Sequence, residues 1–172
     1  DNHNSLPGAV RLWDFNLDLQ GGEPVASVEG QGTLVFQTTT WDADVGHVAF
    51  GNAQAGVPIG RQYVCSSNAS RKALSRANEI LCYRLDGSLD VLVVAPNLTS
   101  LDASGGGSDD YSKLPKGNLD ITGEYYIWTG NAGTSRLDAF IVRVPKNRLT
   151  GGSAAPAPAP SPTPAPTPTP TP

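Results

Sequence analysis

The chain has 172 residues, 16% of them charged, with a net charge of −4, 19 glycines, 15 prolines and no methionine. A charged fraction below the usual ~25%, with no Lys/Arg cluster, leaves no electrostatic footprint for phosphate backbones, so nucleic acid is not an expected partner. No apolar run reaches the ~18 residues of a membrane span, so no membrane insertion is expected.

Asp1 opens no charged-then-apolar leader, and no initiator methionine is present. The N-terminus therefore reads as processed or cut from a longer chain, with any signal already gone, and the expected location is secreted or cell-surface. Its length suits one domain: residues 1–150 can build a core, and residues 151–172 form a linker that cannot.

Across residues 9–148, short runs of Val, Ile, Leu, Tyr and Phe alternate with Gly, Asn-Ala, Asp-Gly and Gly-Gly punctuation. Helical spacing is almost absent, which predicts an all-β fold. Ala9 to Phe15 (AVRLWDF) opens a first partial unit, and no strand is assigned between Pro24 and Thr40. His47 to Phe50 (HVAF) is the next short strand, followed by the run from Tyr63. Arg71 to Asn78 is a loop with room for one or two helical turns. Glu79 to Leu85 (EILCYRL), the Asp86-Gly87 turn and Leu89 to Val94 complete the round. A second round takes Asn118 to Ile121 (NLDI), the run from Tyr126, and Leu137 to Val144 (LDAFIVRV), and Pro145 ends it.

The two rounds repeat. Tyr63, Val64, Cys65, Ser66, Ser67, Asn68 and Ala69 align without a gap on Tyr126, Ile127, Trp128, Thr129, Gly130, Asn131 and Ala132. Strand, strand, strand, Asp-Gly turn, strand is the layout of a propeller blade. The predicted fold is a partial β-propeller of two to three four-stranded antiparallel blades, the last without its outer strand, plus a disordered or polyproline-like tail. A closed ring takes ~4 to 8 blades, so the module reads as a C-terminal fragment. The alternative is a complete β-sandwich whose repeat is coincidental.

The stretch YYIWTGNAGTSRLDAFIVRVP, with LDVLVVAPNLTSLD and GGGSDDYSKLPKGNLD before it, resembles the closing blades of secreted bacterial β-propeller proteins across residues 41–145. That resemblance implies a fold and a secreted setting, and it carries over no catalytic residue.

Inter-blade loops and the loops between middle strands open on one face of a propeller. This groups Trp41, Asp42, Asp44 and His47 with Asp102, Asp109, Asp110, Tyr111 and Lys113, and with the loops around Asn68 and Asn131, as the candidate binding face. His47 as a neutral base and Tyr111 as an acid would suit proton abstraction next to a carboxylate, the chemistry of a polysaccharide lyase. The plain alternative is a histidine satisfying a hydrogen bond at a strand start. Asp42-Ala-Asp44 and Asp109-Asp110 offer hard oxygens for Ca²⁺, without the spacing of a calcium loop, or else serve as turn caps. No other cofactor or metal is expected. A carboxylate pair for glycoside hydrolysis also stays open. Trp13, Trp41 and Trp128 either stack on sugars or fill the core, and Trp128, aligned with Cys65, reads as core.

Cys65 and Cys82 lack the CxxC or Cys/His company of a zinc site, which leaves a disulfide or two buried thiols. Their place on the two strands of one hairpin makes a cross-strand bond geometrically reasonable. Asn68-Ala-Ser70 and Asn97-Leu-Thr99 fit the N-glycosylation sequon, and the tail's Thr163, Thr167, Thr169 and Thr171 are candidate O-glycan sites. From Pro156 onward every second residue is proline, which locks φ and deletes half the amide donors, and so predicts an extended rod. The tail is similar to the Pro-Thr linkers of modular secreted bacterial proteins, which implies a further module beyond it.

These readings converge on an extracellular binding or structural module whose expected partner is a polysaccharide or another cell-surface component. Two other functions stay open: a secreted polysaccharide lyase or hydrolase, and a surface protein that self-associates through open strand edges.

Overall fold

A computed structural model of the chain describes residues 8–14, 32–38, 46–50 and 55–150. Trp41, Asp42, Asp44 and the tail with its four threonines lie outside them. The described residues are mostly β, as expected, and form three antiparallel sheets. The first pairs β1 (Val10–Leu12) with β2 (Thr33–Phe36). The second is a meander of β3 (His47–Ala49), β4 (Tyr63–Ser67), β5 (Glu79–Arg84) and β6 (Val91–Pro96). The third is β7 (Asn118–Leu119), β8 (Tyr125–Gly130) and β9 (Asp138–Arg143).

The sequence repeat is structural. β4 and β8 each take second place in their meander, and each ends immediately before its Asn-Ala. Cys65 pairs directly with Cys82 across β4 and β5, and at the aligned position Trp128 pairs with Phe140. The first pair is a disulfide; the second is a stacked aromatic pair with centroids 5.8 Å apart. One unit is therefore stapled covalently where the other is held by dispersion.

Local chemistry explains where the strands depart from expectation. Asn118 to Ile121 shortens to two residues because the Asp120 carboxylate accepts from the Tyr125 amide (2.8 Å) and the Thr122 hydroxyl (2.5 Å), turning the chain at once. These bonds, the Thr122 hydroxyl first, also hold the Asp120 carboxyl below its ordinary pKa. Arg71 to Asn78 is not helical: Arg76 and Asn78 adopt positive φ, and the Asn78 amide bonds both the N–H and the C=O of Ser70. Among the described residues the short helices lie elsewhere, a 3-10 turn at Ile59–Arg61 and α-helical turns at Asp110–Lys113 and Lys146–Leu149. β2 falls inside the stretch that had no assigned strand.

The central strands of the second sheet, β4 and β5, are buried on both faces, which is why β4 shows no alternation of buried and exposed residues. Val64, Leu81, Tyr83 and Leu85 pack against Val35 and Phe36 of the first sheet, with the Phe36 and Tyr83 rings stacked at 4.9 Å. On the opposite side Tyr63, Cys65, Ile80 and Cys82 pack against Leu119, Tyr126 and Trp128 of the third. The aligned residues of the repeat, Tyr63 with Cys65 and Tyr126 with Trp128, thus meet across one interface. Like faces are turned toward each other.

Two buried phenols tie that interface. Tyr63 donates to the Gly123 carbonyl, and Tyr126 donates to Ser67 Oγ (3.1 Å), which donates to the Pro115 carbonyl (3.1 Å). A side chain on Gly117 would collide with the Tyr126 hydroxyl, so close approach requires glycine there. Burial pushes the Tyr126 pKa from 10.0 up to about 12. A raised folded-state value means that the tyrosine's contribution is intact below pH ~10 and is lost as the pH rises toward about 12. In alkaline unfolding followed by circular dichroism, Tyr126→Phe should move the midpoint to higher pH. An unmoved midpoint would assign the transition to another group.

Candidate functional site

The connection between the second and third sheets, residues 97–117, crosses the end of the molecule where β3 begins. Its frame is a set of buried amides. Asn131 is fully buried: its Oδ1 accepts from the Ser100 (2.9 Å) and Gly133 (3.0 Å) amides, and its Nδ2 donates to the Ser100 (2.8 Å) and Gly105 (3.0 Å) carbonyls. Asn97 is 2% exposed, donates to the Asn68 carbonyl and accepts from the Thr99 amide (2.9 Å). The Asn97-Leu-Thr99 sequon thus forms an Asx turn whose amide nitrogen is hydrogen-bonded inside the fold. Expression in an N-glycosylating host should leave Asn97 bare, and a glycan mass on its tryptic peptide would overturn this. Asn68 is half-buried at the end of β4.

Most of the expected charged face is occupied with the connection itself. The Arg71 guanidinium donates to Asp102 (2.7 Å), to both oxygens of Asp110 and to the Leu101 carbonyl (3.1 Å). That fork holds the Asp110 carboxyl below its ordinary pKa and raises the Arg71 pKa. Asp109 caps the helix Asp110–Lys113, accepting from the Ser112 amide (2.8 Å), and this bond lowers its pKa. Lys113 points inward, 7% exposed, and donates to the Leu101 carbonyl (2.8 Å). Asp102, Asp109 and Asp110 therefore have donors already, and among the described residues no group of three or more His, Cys, Asp or Glu could hold a metal.

What remains open to solvent is an aromatic and cationic cluster. Gly46, at φ +59°, turns the chain into β3, and a Cβ there would strike the Ser67 carbonyl; the turn delivers His47 opposite Ser67. The His47 ring lies 6.3 Å from the Tyr111 ring, tilted by 50°. Lys116 Nζ sits 4.8 Å from the Tyr111 centroid and donates to the Tyr111 (2.7 Å) and Leu114 (3.3 Å) carbonyls. Tyr111 is nevertheless 66% exposed. Partial burial first, then the Lys116 charge, lowers the His47 pKa, so the imidazole is neutral at neutral pH.

The structure thus brings His47 and Tyr111 together and links Asp102 with Asp110. Arg71 and Lys116 are the residues that sequence reasoning passes over. Neither sits in a motif, and Arg71 meets its carboxylates 31 and 39 residues away, a pairing only the tertiary fold creates. Lys116 carries a weak local sign, a lysine five residues past an exposed tyrosine.

No family model, no curated protein and no solved structure matches this chain.

Proposed function

We propose that this chain is an extracellular β-module that binds an acidic polysaccharide or a similarly charged cell-surface component at His47, Tyr111 and Lys116. The observation that carries this reading is the Tyr111 ring, 66% exposed yet fixed beside a lysine ammonium 4.8 Å from its centroid. An exposed ring supplies a stacking platform for a sugar, and the ammonium supplies a counter-charge for a uronate carboxylate. The buried Cys65–Cys82 disulfide supports an oxidising compartment and hence secretion. Calorimetric titration with a polyuronate and with its reduced, neutral counterpart tests the reading. Tyr111→Ala should weaken both by about tenfold, and Lys116→Ala should remove the preference for the acidic chain. Equal affinity for both polymers in the native protein would end the acidic assignment.

A second reading is a polysaccharide lyase, favoured by the neutral His47 imidazole beside the Tyr111 phenol. Unsaturated ends, followed by their ultraviolet absorbance, should then accumulate with native protein and vanish with His47→Ala. None with native protein would eliminate the lyase.

On architecture, the like-face contact between the second and third sheets supports the layered sandwich over the partial propeller. Successive propeller blades are related by rotation about one axis and so turn unlike faces to each other. The three-stranded third sheet, against four strands in the second, remains the feature in favour of a blade awaiting its outer strand, and of partners at that edge.

A further inference from the structure

One exposed ring has two nitrogen groups beside it. Lys116 Nζ stands 4.8 Å from the Tyr111 centroid, and the His47 ring lies 6.3 Å from the Tyr111 ring. Each is held from a different part of the chain. Strand pairing fixes His47 opposite Ser67, whereas Lys116 is fixed by its bonds to the Tyr111 and Leu114 carbonyls. A carboxylate laid against the Tyr111 ring therefore comes within ionic reach of both groups. A lysine carries its charge throughout the neutral and mildly acidic range, and a histidine gains one within it.

We propose that the Tyr111 site is gated by pH: protonation of His47 places a second cation beside Lys116, so an acidic polysaccharide binds more tightly in mildly acidic surroundings than at neutral pH. This rests on the reading of the site as one for an acidic chain. The groups packed around His47 leave the gate to it. From β4 comes Ser67, with the Tyr126 phenol on its hydroxyl (3.1 Å), and burial keeps that phenol protonated up to about 12. From β7 come Asn118 and Leu119, which do not titrate. The crossing connection brings Tyr111 and Lys116; of its carboxylates, Asp109 is held low by the Ser112 amide and Asp110 by Arg71, so both stay ionised across the range, while Asp102 is tied to Arg71. Partial burial and the Lys116 charge keep the empty site's imidazole neutral at neutral pH. A bound carboxylate opposes both effects, so ligand and proton each favour the other's binding.

Calorimetric titration of the full chain with a polyuronate, at about pH 7.5 and about pH 5, tests the gate, because uronate carboxylates stay ionised at both. The native protein should bind about fivefold more tightly at the lower pH, and its binding enthalpy near neutrality should vary with the buffer's heat of ionisation, as proton uptake requires. In His47→Gln, with an unchanged circular dichroism spectrum, the ratio of the two affinities should fall to about one. Lys116→Ala should weaken binding at both pH values and keep the ratio. Native binding that is equal at the two pH values, or a rise that survives His47→Gln, overturns the gate and leaves the acidic-chain reading standing. No polyuronate binding at either pH overturns both.

Discussion

Removing the disulfide with the double change Cys65→Ala, Cys82→Ala is expected to lower the unfolding free energy by roughly 3 kcal/mol or more. The bond joins residues 17 apart, and closing a loop of about that size restricts the unfolded chain by ~3 kcal/mol in the loop-entropy account. Both sulfurs also belong to the core between the second and third sheets, at 0% exposure, so the truncation opens space that their neighbours must fill. Urea unfolding followed by far-ultraviolet circular dichroism measures it. Reduction alone, which keeps both sulfurs in place, should recover part of the loss relative to the double alanine. Equal midpoints for native and double-alanine chains would show that the staple contributes nothing to this core.

Trp128→Ala should cost the same core about 3–5 kcal/mol. The indole is 3% exposed, stacks on Phe140 at 5.8 Å and lies 6.1 Å from the Tyr126 ring. Its Nε1 donates to the Asn97 carbonyl (2.6 Å), linking the third sheet to the start of the crossing connection. Trp128→Phe separates the two contributions: it keeps most of the packing and should cost closer to ~1 kcal/mol for the lost hydrogen bond plus the volume change. If alanine and phenylalanine variants unfold at the same urea concentration, the hydrogen bond rather than the ring carries the position.

The β class, the two repeated meanders and the cysteine pairing were legible because each leaves a local mark: short β-branched runs, aligned Tyr-to-Ala segments, and cysteines on adjacent strands. Trp128 as core followed from its alignment with Cys65. The packing of layers was not legible, because alternation within a strand says which residues share a face and not which other sheet they meet. β4 is the clearest case, since covering on both sides erased its alternation altogether. Among the candidate site residues, Asp102, Asp109 and Asp110 lie on one connection, which their spacing in the sequence already shows. Sequence could not supply Arg71, whose fork turns two of those carboxylates into structural anchors, nor the buried course of Lys113. The Asn97 sequon shows how a turn and a modification signal share the same three residues.

The like-face contact between the second and third sheets has a consequence for behaviour in dilute surroundings. Its two halves are tethered by residues 97–117, so they meet at an effective concentration set by the tether and not by the amount of protein present. Dilution leaves that joint closed.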